Sequence, residues 1–322
     1  MIKKILAAAL AVATLQFTCT AQAQPYPSKQ LRIVVPFPPG GAADISGRVL
    51  AELMGKSLGQ SVVVENRPGG STIIGSEVVA RAPADGYTML VVFPSFIVNP
   101  ALRSTMPFDP LKDFKAVGQV LAVPMAIGAA MSLPAKNLQE LIALARAKPG
   151  ELSYGTPGLG TTHHVMGEML KQAAKINIIH APFQGGTQSL TAVSGGHIQL
   201  VYGNAAEIAP AAKGGKVRPI VVTSAERVDL LPDTPTMRES GFPELEAVNW
   251  AGLVVAAATP PAAIARLNAD LVAALRNPEL HAKFKSYGMI PTPSTPEQFG
   301  AFLQSESARY AKAVKEAGVK AE

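Results

Sequence analysis

Short apolar runs alternate with amphipathic stretches along most of the chain. Leu31-Arg32-Ile33-Val34-Val35 reads as a strand, and Pro36-Phe37-Pro38-Pro39-Gly40-Gly41 as the loop that follows it. Ile45, Val49, Leu53 and Met54 then recur at helical spacing up to Gly55, which predicts a helix. The same alternation gives a strand from Ser61 to Glu65, a helix from Ile73 to Ala82 and a strand from Tyr87 to Phe93. Leu138 to Ala147 is helical and leads to an extended Leu152-Ser153-Tyr154, a glycine-rich loop, a helix from about Thr161 and a strand near Ile178-Ile179. Ile198 to Tyr202, Pro219 to Thr223 and Gly252 to Ala256 read as buried strands. Helices are expected at 262–276 and 296–314. Repeated strand–loop–helix units predict a doubly wound α/β fold with parallel sheets and helices on both faces. In such sheets a ligand sits beyond the carboxyl ends of the strands, where loops run into helix N-termini.

Length and composition sharpen this picture. At 322 residues the chain exceeds the usual size of a single core, so two domains are expected. A charged fraction of 16% falls short of the ~25% typical of soluble domains and excludes a charge-driven disordered chain. The 28 glycines and 27 prolines punctuate many short elements and argue against a helical bundle. The N-terminus has Lys3 and Lys4, an apolar stretch from Ile5 to Phe17 and a small-residue site at Ala21-Gln22-Ala23. That is the build of a secretory signal peptide, expected to be cleaved after Ala23 and to export the protein. Gln16-Phe17-Thr18 before Cys19 make a poor lipidation signal, and cleavage after Ala23 leaves no cysteine. Removing the two lysines takes the net charge from +6 to +4. There is no run of five cations and no interleaving of aromatic with basic residues, so nucleic-acid binding is not expected.

Two strand-to-helix turns carry the candidate chemistry. In Phe37-Pro38-Pro39-Gly40-Gly41-Ala42-Ala43-Asp44 the prolines stiffen the approach, and the glycines allow backbone to come close to a ligand. The free N–H groups and dipole of the following helix then form an anion site without a cation. Asp44 itself is expected to cap the helix or orient the loop, since its carboxylate would repel an anion. The second turn runs from Tyr154 to His164 and includes Thr156, Gly158, Gly160, Thr161 and Thr162. Backbone N–H groups at Gly160, Thr161 and Thr162, with two hydroxyls, suit a carboxylate. Gly158-x-Gly160 lacks the third glycine of a dinucleotide fingerprint, His163 standing in its place, and no cofactor is expected. His164 and Glu168 have i, i+4 spacing, leaving structural, ligand-binding and metal roles open for His164. No Gly-x-Ser-x-Gly, phosphate-binding loop or His-Glu-x-x-His occurs, and no thiol remains after cleavage.

The ordered segments resemble one family. They include Arg32-Ile33-Val34-Val35-Pro36-Phe37 with Gly40-Gly41 and Asp44, then Val64-Glu65-Asn66-Arg67-Pro68-Gly69, Asp85-Gly86-Tyr87-Thr88 and Lys112-Asp113-Phe114. Gly158-x-Gly160-Thr161 with His164, Arg227, Leu231-Pro232-Asp233-Thr234-Pro235-Thr236, Trp250 and Thr295-Pro296-Glu297 continue the series. From about Tyr26 to Gly318 the chain resembles the Bug-type solute receptors, the extracytoplasmic binding proteins of tripartite tricarboxylate transporters. The resemblance implies a two-domain periplasmic binding fold of type II kind, each domain a mostly parallel sheet flanked by helices. Domain 1 would comprise 24–123 plus 249–322, and domain 2 would comprise 124–248. It implies a monomer that closes on an organic carboxylate and delivers it to membrane transporter subunits, with no catalytic residue, metal or cofactor. It also places Phe37, Gly40, Gly41 and Asp44 in one binding loop and Gly158, Gly160, Thr161 and His164 in the other. Thr156 and Thr162 join them from the second turn, and Ser95 and Asn204 from strand ends. The chain departs from the family at Pro182-Phe183-Gln184-Gly185, where a Pro-Tyr-Lys-Gly or Pro-Tyr-Arg-Gly run is common. If Phe37, Phe93, Phe96, Phe183 and Tyr202 formed a wall, an aromatic mono- or dicarboxylate would be favoured over citrate. A periplasmic hydrolase or metal-assisted enzyme using His164 and Glu168, or a sensor presenting its ligand, are the competing readings.

Overall fold

The structure is a computed structural model and describes residues 26–286 and 288–316. The expected signal peptide, 1–23, lies outside the described residues. Ten strands follow in chain order: β1 (Leu31–Val35), β2 (Val62–Asn66), β3 (Thr88–Val92), β4 (Phe114–Ala130), β5 (Ser153–Thr156), β6 (Ile179–Pro182), β7 (Leu200–Asn204), β8 (Val217–Val222), β9 (Val248–Ala256) and β10 (Ile290–Pro291). The helices are α1 (Ala42–Leu58), α2 (Ile73–Ala80), α3 (Ser95–Leu102), α4 (Leu138–Ala147), α5 (Thr162–Ala174), α6 (Gly186–Ser194), α7 (Ala205–Lys213), α8 (Pro261–Leu275), α9 (Pro278–Ser286) and α10 (Pro296–Glu316).

One half of the sheet runs β2-β1-β3-β9-β4, and the other runs β6-β5-β7-β4-β8. The order is the same in both halves, so the β1–α1 and β5–α5 turns occupy corresponding places. Strand β4 serves both halves. Its register with β9 ends at Pro124↔Val248, and its register with β7 begins at Met125↔Asn204. Pairing is parallel among β1, β2 and β3 and among β5, β6 and β7. It is antiparallel wherever β4 or β9 takes part. Four of the five strands in each half therefore run in one direction, as expected of a mostly parallel sheet, with one strand, β9 or β4, running against them. The strands that carry the chain between halves enter each sheet running against their neighbours.

Helices cover both faces of each half. Met54, Leu267 and Phe284 pack on one face of the first half, and Phe96, Trp250, Phe299 and Tyr310 on the other. In the second half Leu141, Tyr154 and Leu170 fill one face, with Val193, Ile208 and Val217 opposite. Each such large apolar side chain contributes about 1.5–3 kcal/mol through burial. Three differences from the sequence expectation have physical causes. The helix expected to stop at Gly55 continues to Leu58 and ends at Gly59 in the left-handed conformation. Gly55 instead lets Gln60 approach, since a Cβ there would lie 3.2 Å from its carbonyl oxygen. Strand β4 was not expected, because Gly118, Pro124 and Gly128 break its pattern and its register shifts twice against β9. Helices α3 and α6 were not expected either: α3 contains Pro100, and neither has a side-chain N-cap bond.

Candidate functional site

A cavity of about 450 Å³ opens between the two halves. A second opening of about 440 Å³ shares Phe37, Ser95, Pro157 and Thr161 with it. Five helices begin at the cavity wall. Gly41 and Ala43 belong to the start of α1, Ser95 to α3, Thr162 to α5, Gly186 to α6 and Asn204 to α7. The first-turn N–H groups of a helix have no acceptor within it, and each N-terminus carries about half a positive charge. No lysine or arginine is among the described residues that line the cavity, and Glu207 is the one carboxyl group among them. Any positive potential at this wall would therefore have to come from backbone.

The first loop is held by charge. Gly40, at φ +88°, is followed by Gly41, whose carbonyl accepts the first bond of α1 from Ile45. Asp44 does not line the cavity. Its carboxylate accepts from the Gly40 N–H at 3.0 Å, from Arg48 Nε at 3.0 Å and from Asn66 Nδ2 at 3.0 Å. Burial alone would raise its pKa, but those three bonds outweigh burial and hold it below the usual carboxylate range. The Asn66 amide also donates to the Phe37 carbonyl at 3.1 Å, so one residue of β2 fixes both ends of the turn.

The second loop is held by neutral groups. Thr161 is the N-cap of α5; it accepts from the His164 N–H at 3.3 Å and gives its own proton to the Gly158 carbonyl at 2.8 Å. Its hydroxyl is thus committed within the protein, although Thr161 and Thr162 both line the cavity. Gly158 borders the second opening. Thr156, Gly160 and His164 stand behind the wall. Thr156 is fully buried, with its hydroxyl 2.7 Å from His180 Nε2. A Cβ on Gly160 would meet Asn99 Oδ1 at 2.9 Å. His164 takes the Gly160 N–H on Nδ1 at 3.3 Å and stacks on His180, ring centroids 4.1 Å apart. Burial lowers the pKa of His164 and drives that of His180 down to about 3, so both rings are neutral at pH 7. Glu168, its i, i+4 partner, is bonded to Tyr154 Oη at 2.6 Å and to Lys171 at 2.7 Å. Among the described residues no group of three His, Cys, Asp or Glu could hold a metal ion.

Ser95 and Asn204 both reach the cavity, at the N-terminal ends of α3 and α7. Of the five aromatic residues considered for a wall, Phe37 and Phe93 line it, edge to face at 5.3 Å. Phe183 borders the second opening, whereas Phe96 and Tyr202 are buried against Phe114 and Tyr154. The aromatic contribution is one corner of the cavity. The sequence reading did not place His163, Asn249, Glu207 and the start of α6 in the site. His163 donates from Nε2–H to Asn204 Oδ1 at 3.2 Å, and burial drives its pKa down to about 4. The available signal for Glu207 was Asn204-Ala205-Ala206-Glu207, the spacing of a capping box directly after a strand.

This fold, with a cleft between its halves walled by helix starts, defines a solute-binding receptor of the periplasmic binding protein kind. The chain belongs to one family of these: residues 46–319 match the profile described as "Tripartite tricarboxylate transporter family receptor". Among its relatives is the protein BugT of Bordetella pertussis, 33% identical over 313 residues that cover 96% of this chain and 95% of that one. A solved R. palustris protein with adipate is 33% identical, covers 92% of this chain and 99% of its own, and has a TM-score of 0.86. MatC from Rhodopseudomonas palustris with bound malate is 28% identical, covers 90% of this chain and all of its own length (100%), and has a TM-score of 0.84. Among the described residues no helix is long and apolar enough to cross a membrane.

Proposed function

We propose that this receptor captures an organic dicarboxylate between its two halves, returns it unchanged and delivers it to the membrane subunits of a tripartite tricarboxylate-type transporter. The convergence of five helix N-termini on one cavity without a lysine or arginine carries this reading. Such a wall favours an anion through backbone N–H groups, and helix starts in both halves allow one carboxylate to be met from each side. Residues 24–123 with 249–322 and residues 124–248 act as the two domains of a clamp in this proposal, closing by the ligand's extra affinity for the closed form. The neighbours named with adipate and malate support a dicarboxylate. The Phe37–Phe93 corner favours one with an apolar spacer.

Gly41, Ser95, Thr162 and Asn204 would meet the ligand directly in this reading, with Phe37 packing on its carbon chain. Asp44, Thr156, Gly160 and His164 would shape the loops from behind. A thermal-shift screen of residues 24–322 against adipate, malate, citrate, benzoate and amino acids tests the proposal. A ligand at 100 times its Kd stabilises by about 2.7 kcal/mol, enough to raise Tm by several degrees. Stabilisation confined to carboxylates, with the ligand recovered intact, supports it. Silence across the carboxylates, or conversion of the ligand, contradicts it. Equal binding of citrate and benzoate in calorimetry would remove the preference for an apolar dicarboxylate.

A further inference from the structure

Glu207 is the one ionisable acid at the wall of a cavity otherwise built for anions, and its position is unusual in three respects. It stands in the first turn of α7, where Asn204 Nδ2 donates to its Oε1 at 3.2 Å. Its other oxygen, Oε2, is buried without a hydrogen-bond partner, unlike any other polar side-chain atom of the residues lining the cavity. The carboxyl group also lies close against Gly186 at the start of α6, where a Cβ on that glycine would clash with it.

An ionised carboxylate has about four acceptor sites and nothing to donate. Here the neutral donors come from Asn204 alone and Oε2 has none, an expensive arrangement for a buried charge. A neutral acid fits better: Oε1 keeps the bond from Asn204, and Oε2–H becomes a donor in need of an acceptor. The side chains around it are uncharged, and only the dipoles of the α6 and α7 starts favour the ionised form. Asn204 links it to His163, which is held neutral by burial. The α6 sequence Gly186–Ser194 carries no ionisable side chain, and on β7 the buried Tyr202 phenol has its pKa raised. Burial raises the pKa of Glu207 against the opposing bonds from Asn204, with no cation nearby to reverse it. The nearest acceptor that the site would supply is the bound anion.

We propose that Glu207 donates a hydrogen bond from its protonated carboxyl to a ligand carboxylate, so that the bound anion holds Glu207 in its protonated form. The inference rests on the carboxylate reading above and specifies which side chain reads the charge. The bond would be charge-assisted, shorter and about twice as strong as a neutral one. Its sign follows from linkage: the ligand's charge raises the proton affinity of Glu207, so affinity is greatest at low pH and falls as pH rises. A permanent cation in the ligand at this position would have the opposite need, an ionised Glu207.

Calorimetric titration of malate and adipate, both fully ionised above about pH 6.5, into the wild type and Glu207→Gln tests this between about pH 6.5 and 9. Wherever the free receptor loses the Glu207 proton within that range, the wild-type Kd should rise with pH, by at most about tenfold per unit. Glu207→Gln, whose amide is a permanent donor, should show no slope and should bind at least as tightly as the wild type at the alkaline end. Glu207→Ala should be weaker by about tenfold or more at the acid end, with its unliganded Tm showing that α7 is intact. The same slope in Glu207→Gln, a Glu207→Gln weakened as much as Glu207→Ala, or a Glu207→Ala as tight as the wild type at the acid end would each overturn the inference while leaving the receptor reading in place. Absence of wild-type binding to either dicarboxylate at every pH would instead count against the receptor reading.

Discussion

The two glycine turns that face each other across the cavity occupy the same place in their respective sheet halves, yet they are held by opposite means. The β1–α1 turn is pinned by a carboxylate: Asp44 gathers Gly40, Arg48 and Asn66 into one charged knot just behind the loop. The β5–α5 turn is pinned by packing and neutral hydrogen bonds, with Thr161 capping the helix, Gly160 pressed on α3 and a stacked histidine pair beneath. The anion site proposed for this cavity would therefore tolerate a neighbouring negative charge, because that charge is consumed by donors that also shape the loop. It needs no positive side chain when helix starts supply the field.

The contrast can be broken from either side. Gly160→Val should have the largest effect, destabilising by about 2–5 kcal/mol, because it combines the strain of φ +71° with a Cβ 2.9 Å from Asn99 Oδ1. A urea midpoint unchanged from the wild type would show that α3 yields and that this turn is not held sterically. Asp44→Ala should cost about 2–3 kcal/mol, since bonds to a charged group are lost and Asn66 is left partly unpaired. Its effect should shrink in acid. A carboxyl with a depressed pKa contributes fully above its unfolded value and loses that contribution as pH falls through the folded one. An equal cost at neutral and acid pH would show that the Asp44 charge is irrelevant.

The second turn predicts its own acid sensitivity, again with the loss on the low-pH side. His163 titrates near 6.5 when unfolded and at about 4 when buried, so its neutral form stabilises fully above pH 6.5 and the advantage disappears as pH falls towards 4. By about pH 5 the loss from this group should reach about 2 kcal/mol, and His163→Asn should lack it in denaturant melts compared at the two pH values. Retention of the full acid loss in that variant would assign it to other groups. Thr161→Ala should have the smallest effect, about 1 kcal/mol of stability through the lost N-cap. Its ligand affinity should change little, because the hydroxyl proton already goes to Gly158. A tenfold weaker Kd with unchanged Tm would turn that hydroxyl towards the ligand.

The two turns were legible in the sequence because their punctuation is local. Pro38, Pro39, Gly40 and Gly41 stop one strand and open one helix, and Gly158 to Thr162 do the same further on. Asp44 as a loop-orienting residue was legible for the same reason. What surrounds the turns was not. Strand β4 serves both halves, so its hydrophobic pattern is shaped by two sets of neighbours and interrupted at Pro124. The start of α6 lacks any side-chain cap, and its sequence reads as loop. Glu207 looks like an ordinary capping acid until Gly186, a distant residue in sequence, is found lying against its carboxyl. His163 and His164 are adjacent, and only the packing of His164 on His180 decides which ring turns to the cavity.

In the proposed receptor, backbone at helix starts, rather than any cationic side chain, recognises a carboxylate in the cavity. Calorimetry of adipate against its diamide, which matches it in shape but carries no charge, tests that claim most directly. One-to-one binding of adipate with at least a hundredfold weaker binding of the diamide is the predicted result, about 2.7 kcal/mol or more of preference for charge. Equal affinities for the two would show that the cavity reads shape alone and would contradict the account.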